Sequence, residues 1–183
     1  MKKTGSVIAS PEIEKILDKY RPKGVKVDLG CGNKKVPGFL GIDRQDLPGV
    51  DIIQELEEYP WVLPDECADM VVASHLLEHI NPANGGFLRF MDEIWRILRP
   101  GGTLLIVTPY AGSIGYWADP THINGITENT WLYFDPLEAN GQGGFYRLYC
   151  PKPWKIVSST WSMEGNLEAA LEKRAEDPSY VIG

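Results

Sequence analysis

No two cysteines of the 183-residue chain stand in a CxxC spacing, and the three present, Cys31, Cys67 and Cys150, are far apart. An odd, scattered set of thiols excludes a disulfide scaffold and a thiolate zinc site, and it suits a reducing compartment. Long hydrophobic runs are also missing. Strongly apolar stretches reach only four residues, as at Leu104–Val107, against the roughly 20 that a membrane-crossing helix needs. The opening MKKTGSVIASPE has two lysines but no apolar stretch behind them. It does not read as a secretory signal, so a cytoplasmic location and no membrane partner are expected. Positive charge is scarce, with 18 basic residues against 25 acidic and a net charge of -7. A nucleic-acid partner held by bulk electrostatics is not favoured by that balance. Nine of the basic residues fall in the first 35 positions among four acids, which reads as a solvated helix face and loop rather than a phosphate patch.

What is present has the make-up of one globular unit, expected to span residues 1–183, with 43% hydrophobic and 23% charged residues and no internal repeat. Ser10-Pro11 starts a short amphipathic helix carrying Ile13, Ile16, Leu17 and Tyr20. Apolar strands are expected at Val25–Leu29, Phe39–Asp43, Val50–Gln54, Met70–Ser74 and Thr103–Thr108. His75–Ile80 reads as a brief helical piece. Phe87, Phe90, Met91, Ile94, Ile97 and Leu98 mark a strong helix, and Arg99-Pro100-Gly101-Gly102 ends it. Short continuous strands alternating with helices indicate a parallel sheet covered on both faces, a doubly wound α/β architecture in three layers. About seven residues separate Gly30 from the second strand, fewer than the ~10–12 of a full crossover with its helix. The helix after the first strand is therefore expected to be reduced to a turn or missing. Residues 110–154 hold ten of the 19 aromatics with several glycines and prolines, a change of pattern, and Thr127 is expected to cap a short helix through Phe134. In the tail, Trp154–Ser162 reads as a strand. Leu167–Arg174 reads either as a hairpin arm or as a helix, with Gly165-Asn166 favouring the hairpin.

Chemistry concentrates at the strand ends. Val27-Asp28-Leu29-Gly30-Cys31-Gly32 joins a strand to an acid and two glycines, which permit positive φ and close approach of a ligand to the backbone. Asp43 ends the second strand, where a carboxylate can accept both hydroxyls of a ribose. Glu55-Leu56 follows the third. A nicotinamide dinucleotide fits poorly, because Lys35 stands where the third glycine of G-x-G-x-x-G belongs and the ribose acid arrives early.

The order DLGCGN, GID, acid-leucine, ADMVVASHLLEHI and EIWRILRPGGTLLIVTPY, across residues 25–110, resembles the class I S-adenosylmethionine-dependent methyltransferases. The resemblance implies a Rossmann-like, mostly parallel seven-stranded sheet with an antiparallel final strand, and S-adenosylmethionine as cofactor. Carried over by position, Asp28, Gly30, Cys31 and Gly32 would surround the methionine and sulfonium part, and Asp43 would bind the ribose. Arg44 and Leu56 would flank the adenine, Glu55 would approach its amino group, and Ser74 and His75 would close the floor. Segment 110–154 would be the aromatic-rich substrate or lid segment and would cover the methyl group. The resemblance implies transfer of that methyl to an oxygen, nitrogen or carbon nucleophile, and the acidic chain favours a small-molecule acceptor. His122 and Asp119 in Asp119-Pro120-Thr121-His122 can serve as a general base pair, and His79 faces either the substrate or the core. Tyr110, Tyr116, Trp117, Trp131, Tyr133, Tyr146 and Tyr149 form either an acceptor wall or the core of the lid.

Two other readings stay open. His75-Leu76-Leu77-Glu78-His79 spells H-x-x-E-H, a zinc-hydrolase signature if both histidines share a helical face and His122 or a glutamate completes the set. The short helical stretch before Asn81-Pro82 argues against it, and no residue is assigned to a metal. The other is a protein that binds S-adenosylmethionine without turnover.

Overall fold

The computed structural model describes residues 6–138 and 144–180; positions 139–143 of the aromatic-rich segment and the ends of the expected unit, 1–5 and 181–183, lie outside it. Seven strands form one sheet in the order β3-β2-β1-β4-β5-β7-β6. The strands are β1 (Lys26–Leu29), β2 (Leu40–Asp43), β3 (Ile52–Ile53), β4 (Ala68–Ser74), β5 (Leu98–Pro109), β6 (Trp154–Trp161) and β7 (Asn166–Lys173). The first five run parallel, and β7 is antiparallel to both β5 and β6. This is the mixed α/β sheet expected from the sequence.

The core forms because each central strand turns apolar side chains inward. Val27, Leu29, Leu40, Ile42, Val71, Ala73, Leu104, Leu167 and Leu171 are fully buried. Helix α1 (Pro11–Tyr20) is capped by the Ser10 hydroxyl and adds Leu17. Helix α2 (Gly86–Ile97) buries Phe87, Phe90, Met91, Ile94 and Ile97, the stripe its sequence period dictates.

Among the described residues, α2 is the one helix joining two parallel strands; the chain passes from β1 to β2, β2 to β3 and β3 to β4 without any. The expected loss of the first crossover helix is therefore observed, and it extends to the next two connections. Loop 54–67 covers the space instead. Trp61 is fully buried, packs edge-on against Phe90 at 5.6 Å, and its backbone N–H donates to Glu93 Oε1 at 2.6 Å. Arg96 holds the same loop, donating to Asp65 Oδ1 at 2.7 Å and to the Leu63 carbonyl at 2.9 Å. These bonds satisfy backbone groups that an irregular buried segment would otherwise leave unpaired.

Three local expectations change. Strand β5 begins at Leu98, which pairs with Ala68, and a register shift lies between that pair and Met70–Thr103. Arg99–Gly102 is thus an irregularity inside a strand, not a turn that precedes one. His75–Ile80 is not an α-helical piece. His75 has φ +52°, and only a single 3₁₀ turn, Leu77–His79, follows it. The tail is the hairpin that Gly165-Asn166 favours, with Gly165 at φ +85° between β6 and β7. The residues after Thr127 form a 3₁₀ stretch, Glu128–Tyr133. No helix among the described residues is long and apolar enough to cross a membrane.

Candidate functional site

The carboxyl ends of β1, β2 and β4 open onto a crevice of about 450 Å³. Gly30 and Gly32, at φ +64° and +51°, turn the chain sharply at the end of β1. A Cβ on Gly30 would lie 2.9 Å from Leu76 Cδ1, while the space beyond Gly32 is open to the crevice. Asp43 ties this turn to β2: its Oδ2 accepts from the Gly32 N–H and its Oδ1 from the Gln45 N–H, each at 2.9 Å. Lone pairs remain on both oxygens for a ligand.

Asp28 has a different task. It is buried, and its Oδ2 accepts from the Val36 N–H at 2.7 Å, so it fixes loop 30–39 from beneath. Burial raises its pKa against the opposing pull of that N–H and of Lys35. Cys31 is also buried, and desolvation with Asp28 and Asp43 nearby pushes its thiol up to about 11. Behind both, Asp51 Oδ2 takes the Gly41 N–H at 2.8 Å and Lys35 Nζ at 2.7 Å. Burial pushes Asp51 upward, but Lys35, that N–H and Tyr20 outweigh it and hold the group below the usual carboxylate range.

Of the ten residues expected around the cofactor, Gly30, Gly32, Asp43, Arg44, Glu55, Leu56 and His75 line the crevice. Asp28, Cys31 and Ser74 do not: the first two point into the protein, and Ser74 ends β4 outside the lining. Sequence reasoning missed Gln45, Leu47, Glu57, Leu76, Ile80 and Thr121. Gln45 and Leu47 follow Asp43 closely enough to be found by extending the strand-end rule. Thr121 arrives from a distant loop, within the Asp119-Pro120-Thr121-His122 stretch read for catalysis rather than for this crevice.

A second cleft adjoins the first, sharing His75 and His79, and is lined further by Glu78, Ser113, Asp119, His122 and Glu164. His79 and His122 stand ring to ring, centroids 4.9 Å apart. His122 Nδ1 lies 2.7 Å from the Tyr116 carbonyl, which can only accept, so that nitrogen carries the proton. Asp119 uses Oδ1 on the N–H and hydroxyl of Thr121, which lower its pKa; its Oδ2 lies 3.8 Å from His122 Nε2. The Tyr116 carbonyl, rather than Asp119, thus orients the ring. The seven aromatics do not form a wall: none lines either cleft. Trp131 and Tyr146 are buried, Trp117 and Tyr149 are exposed, and Tyr116 packs on His122 at 5.4 Å. Because His75 adopts left-handed backbone, it and His79 do not share a helical face, so the H-x-x-E-H geometry is not formed.

A family profile described as a methyltransferase domain matches residues 36–106. Over 67 residues the chain is 40% identical to a protein of Mycolicibacterium smegmatis named "Probable S-adenosylmethionine-dependent methyltransferase", covering 36% of this chain and 24% of that protein. That stretch of the chain is thus similar to methyltransferase domains. It spans about a quarter of the length of that curated relative. The methyltransferase fold extends over nearly the whole chain. An S-adenosylmethionine-dependent methyltransferase from Archaeoglobus fulgidus superposes with a TM-score of 0.54 at 18% identity, over 88% of this chain and 93% of that one. Another from Methanosarcina mazei gives 0.55 at 16% identity, over 88% and 98%. The relative from Mycolicibacterium smegmatis and both of these structures are named as dependent on S-adenosylmethionine.

Proposed function

We propose that this chain is a class I S-adenosylmethionine-dependent methyltransferase domain, which holds S-adenosylmethionine in the crevice beside Gly30–Gly32 and methylates a small molecule seated in the second cleft. When bound, the cofactor supplies an electrophilic methyl group on a sulfonium cation. The observation that carries this reading is Asp43: a carboxylate at the tip of β2, clamped by two backbone N–H groups and facing the crevice. It would take the ribose hydroxyls, with Leu56 and Arg44 beside the adenine and Glu55 near its amino group. Asp28 and Cys31 would act from behind, by holding the loop that cradles the methionine end.

His79 bridges the two clefts and His122 lines the second. With Asp119 alongside, they would position the acceptor's nucleophilic atom, and orientation of this kind accounts for up to about 7–11 kcal/mol of a barrier in favourable cases. The acid-rich surface, at -7 overall, supports a small acceptor over a polyanion. A single unit over residues 1–183 and a cytoplasmic location belong to the same proposal.

Titrating the protein with S-adenosylmethionine tests it. Wild type binds one equivalent, and Asp43→Ala weakens binding by roughly 10²-fold, the value of two good hydrogen bonds to a charged group. Equal affinity in the two proteins would refute the ribose assignment.

A further inference from the structure

Where the two clefts meet, one donor atom each of Glu78, His79 and His122 lies within 4.8 Å of the other two. The segments that carry them are locked together. The Glu78 carbonyl accepts from the N–H groups of Ile123 and Asn124 at 2.9 and 3.0 Å, and Asn124 Nδ2 donates to the Leu77 carbonyl at 3.0 Å. Both imidazoles are oriented through Nδ1. That of His122 faces the Tyr116 carbonyl, and that of His79 lies 3.3 Å from the Thr121 carbonyl. A backbone carbonyl behind Nδ1 fixes the ring and leaves the Nε2 lone pair free, the support that metal-bound histidines receive.

Glu78 provides an independent observation. Its side chain is fully buried. Oε2 accepts from the Thr108 hydroxyl at 3.0 Å, but Oε1 has no hydrogen-bond partner, although His75 Nδ1 stands 3.4 Å away. A buried carboxylate oxygen left without a partner is costly, and this residue lines the second cleft.

We propose that Glu78, His79 and His122 bind a divalent first-row transition-metal ion in the wall of the second cleft. Two imidazoles and one carboxylate suit zinc, iron(II), cobalt(II), nickel(II) or manganese(II). Magnesium and calcium take oxygen ligands instead. The letters of H-x-x-E-H thus carry a different donor set from the one their spacing suggests: Glu78 replaces His75, which the left-handed backbone turns aside, and His122 completes it from the loop after β5. Three protein donors leave coordination positions open, and the cleft gives them access to a second substrate. An acceptor with an ionisable oxygen, such as a phenol or an alcohol, would bind there and lose its proton more readily. That statement about the acceptor rests on reading the second cleft as its seat; metal binding does not.

The 183-residue chain, stripped with a chelator and titrated with cobalt(II) alone, followed by calorimetry and visible absorption, tests the site. One equivalent binds to wild type. His79→Asn and His122→Asn each weaken uptake by at least about tenfold, while His75→Asn retains it. Glu78→Gln behaves like the histidine variants if it folds; the two asparagine variants, at partly exposed positions, keep the test valid if it does not. Wild type without saturable one-to-one uptake, or His122→Asn binding as well as wild type, would overturn the proposal. S-adenosylmethionine affinity measured on the same samples separates the outcomes, since failure of the crevice reading leaves the metal titration unchanged.

Discussion

Gly41, in the middle of β2, has no room for a side chain. A Cβ there would lie 2.7 Å from Cys31 Sγ and 2.5 Å from Lys35 Cδ, and Lys35 is held by Asp51 at 2.7 Å. The lysine chain can give way, but the buried thiol beneath the glycine turn cannot move far. Gly41→Ala is expected to cost about 1–3 kcal/mol, read as a lower midpoint in urea with an unchanged slope. A neutral result would mean that loop 30–39 adapts more easily than its packing suggests. The same neighbourhood shows what residue-level reading gives and misses. Asp43 and its place at a strand tip follow from the chain alone, because an acid ending a short apolar run has one position available. The role of Asp28 does not, since spacing locates a Cα but cannot say that the carboxylate turns under the loop to meet Val36. Likewise, the left-handed backbone of His75 has no signature in a string of letters that fits a helix.

At the scale of elements, α2 was fully legible, because its apolar stripe repeats at helical spacing without interruption. The bare connections around it were legible only where counting residues forbade a helix, between β1 and β2. Loop 54–67 has length enough for one, and what prevents it is tertiary: Trp61 and Arg96 anchor it to α2. The start of β5 was hidden for a related reason, since glycines and proline signal a turn while the neighbouring strand recruits them into a bulge. Helix α2 also carries a pH-dependent tie to the rest of the chain. Asp92 Oδ1 accepts from the Lys152 N–H at 2.7 Å, and desolvation raises its pKa from 3.8 to about 6 despite that bond. Between those values the folded state binds more protons than the unfolded chain, so this group's contribution to stability falls as pH rises from about 4 to 6. Asp92→Asn removes the titration. Relative to wild type, the variant is expected to gain on the order of 2–3 kcal/mol between pH 4 and pH 7, measured by urea unfolding at each pH. Parallel pH profiles would rule this out.

For the whole molecule, sheet order and handed connections follow from few options once five parallel strands and a hairpin are read. The site draws on both the glycine turn and a loop some 90 residues later. That long-range meeting of Glu78, His79 and His122 is the part no local pattern could supply. A ligand spanning the crevice touches loops from several strands and should stabilise them together. S-adenosylhomocysteine at 100 times its dissociation constant is expected to add about 2.7 kcal/mol, a rise of roughly 5–10 °C in melting temperature for a chain of this size. No shift at saturating ligand would count against the crevice assignment.

The insertion of β7 between β5 and β6 has a consequence for how the protein is made. As the nascent chain leaves the ribosome, β5 emerges with one side already able to pair with β4, while its other side waits for residues 166–173. Until that hairpin arm is released, the longest strand presents a bare edge, the kind of surface that chaperones cover and that neighbouring chains can capture. Release of residues 166–173, rather than collapse of the first half, is then the step that makes this sheet safe in a crowded cell.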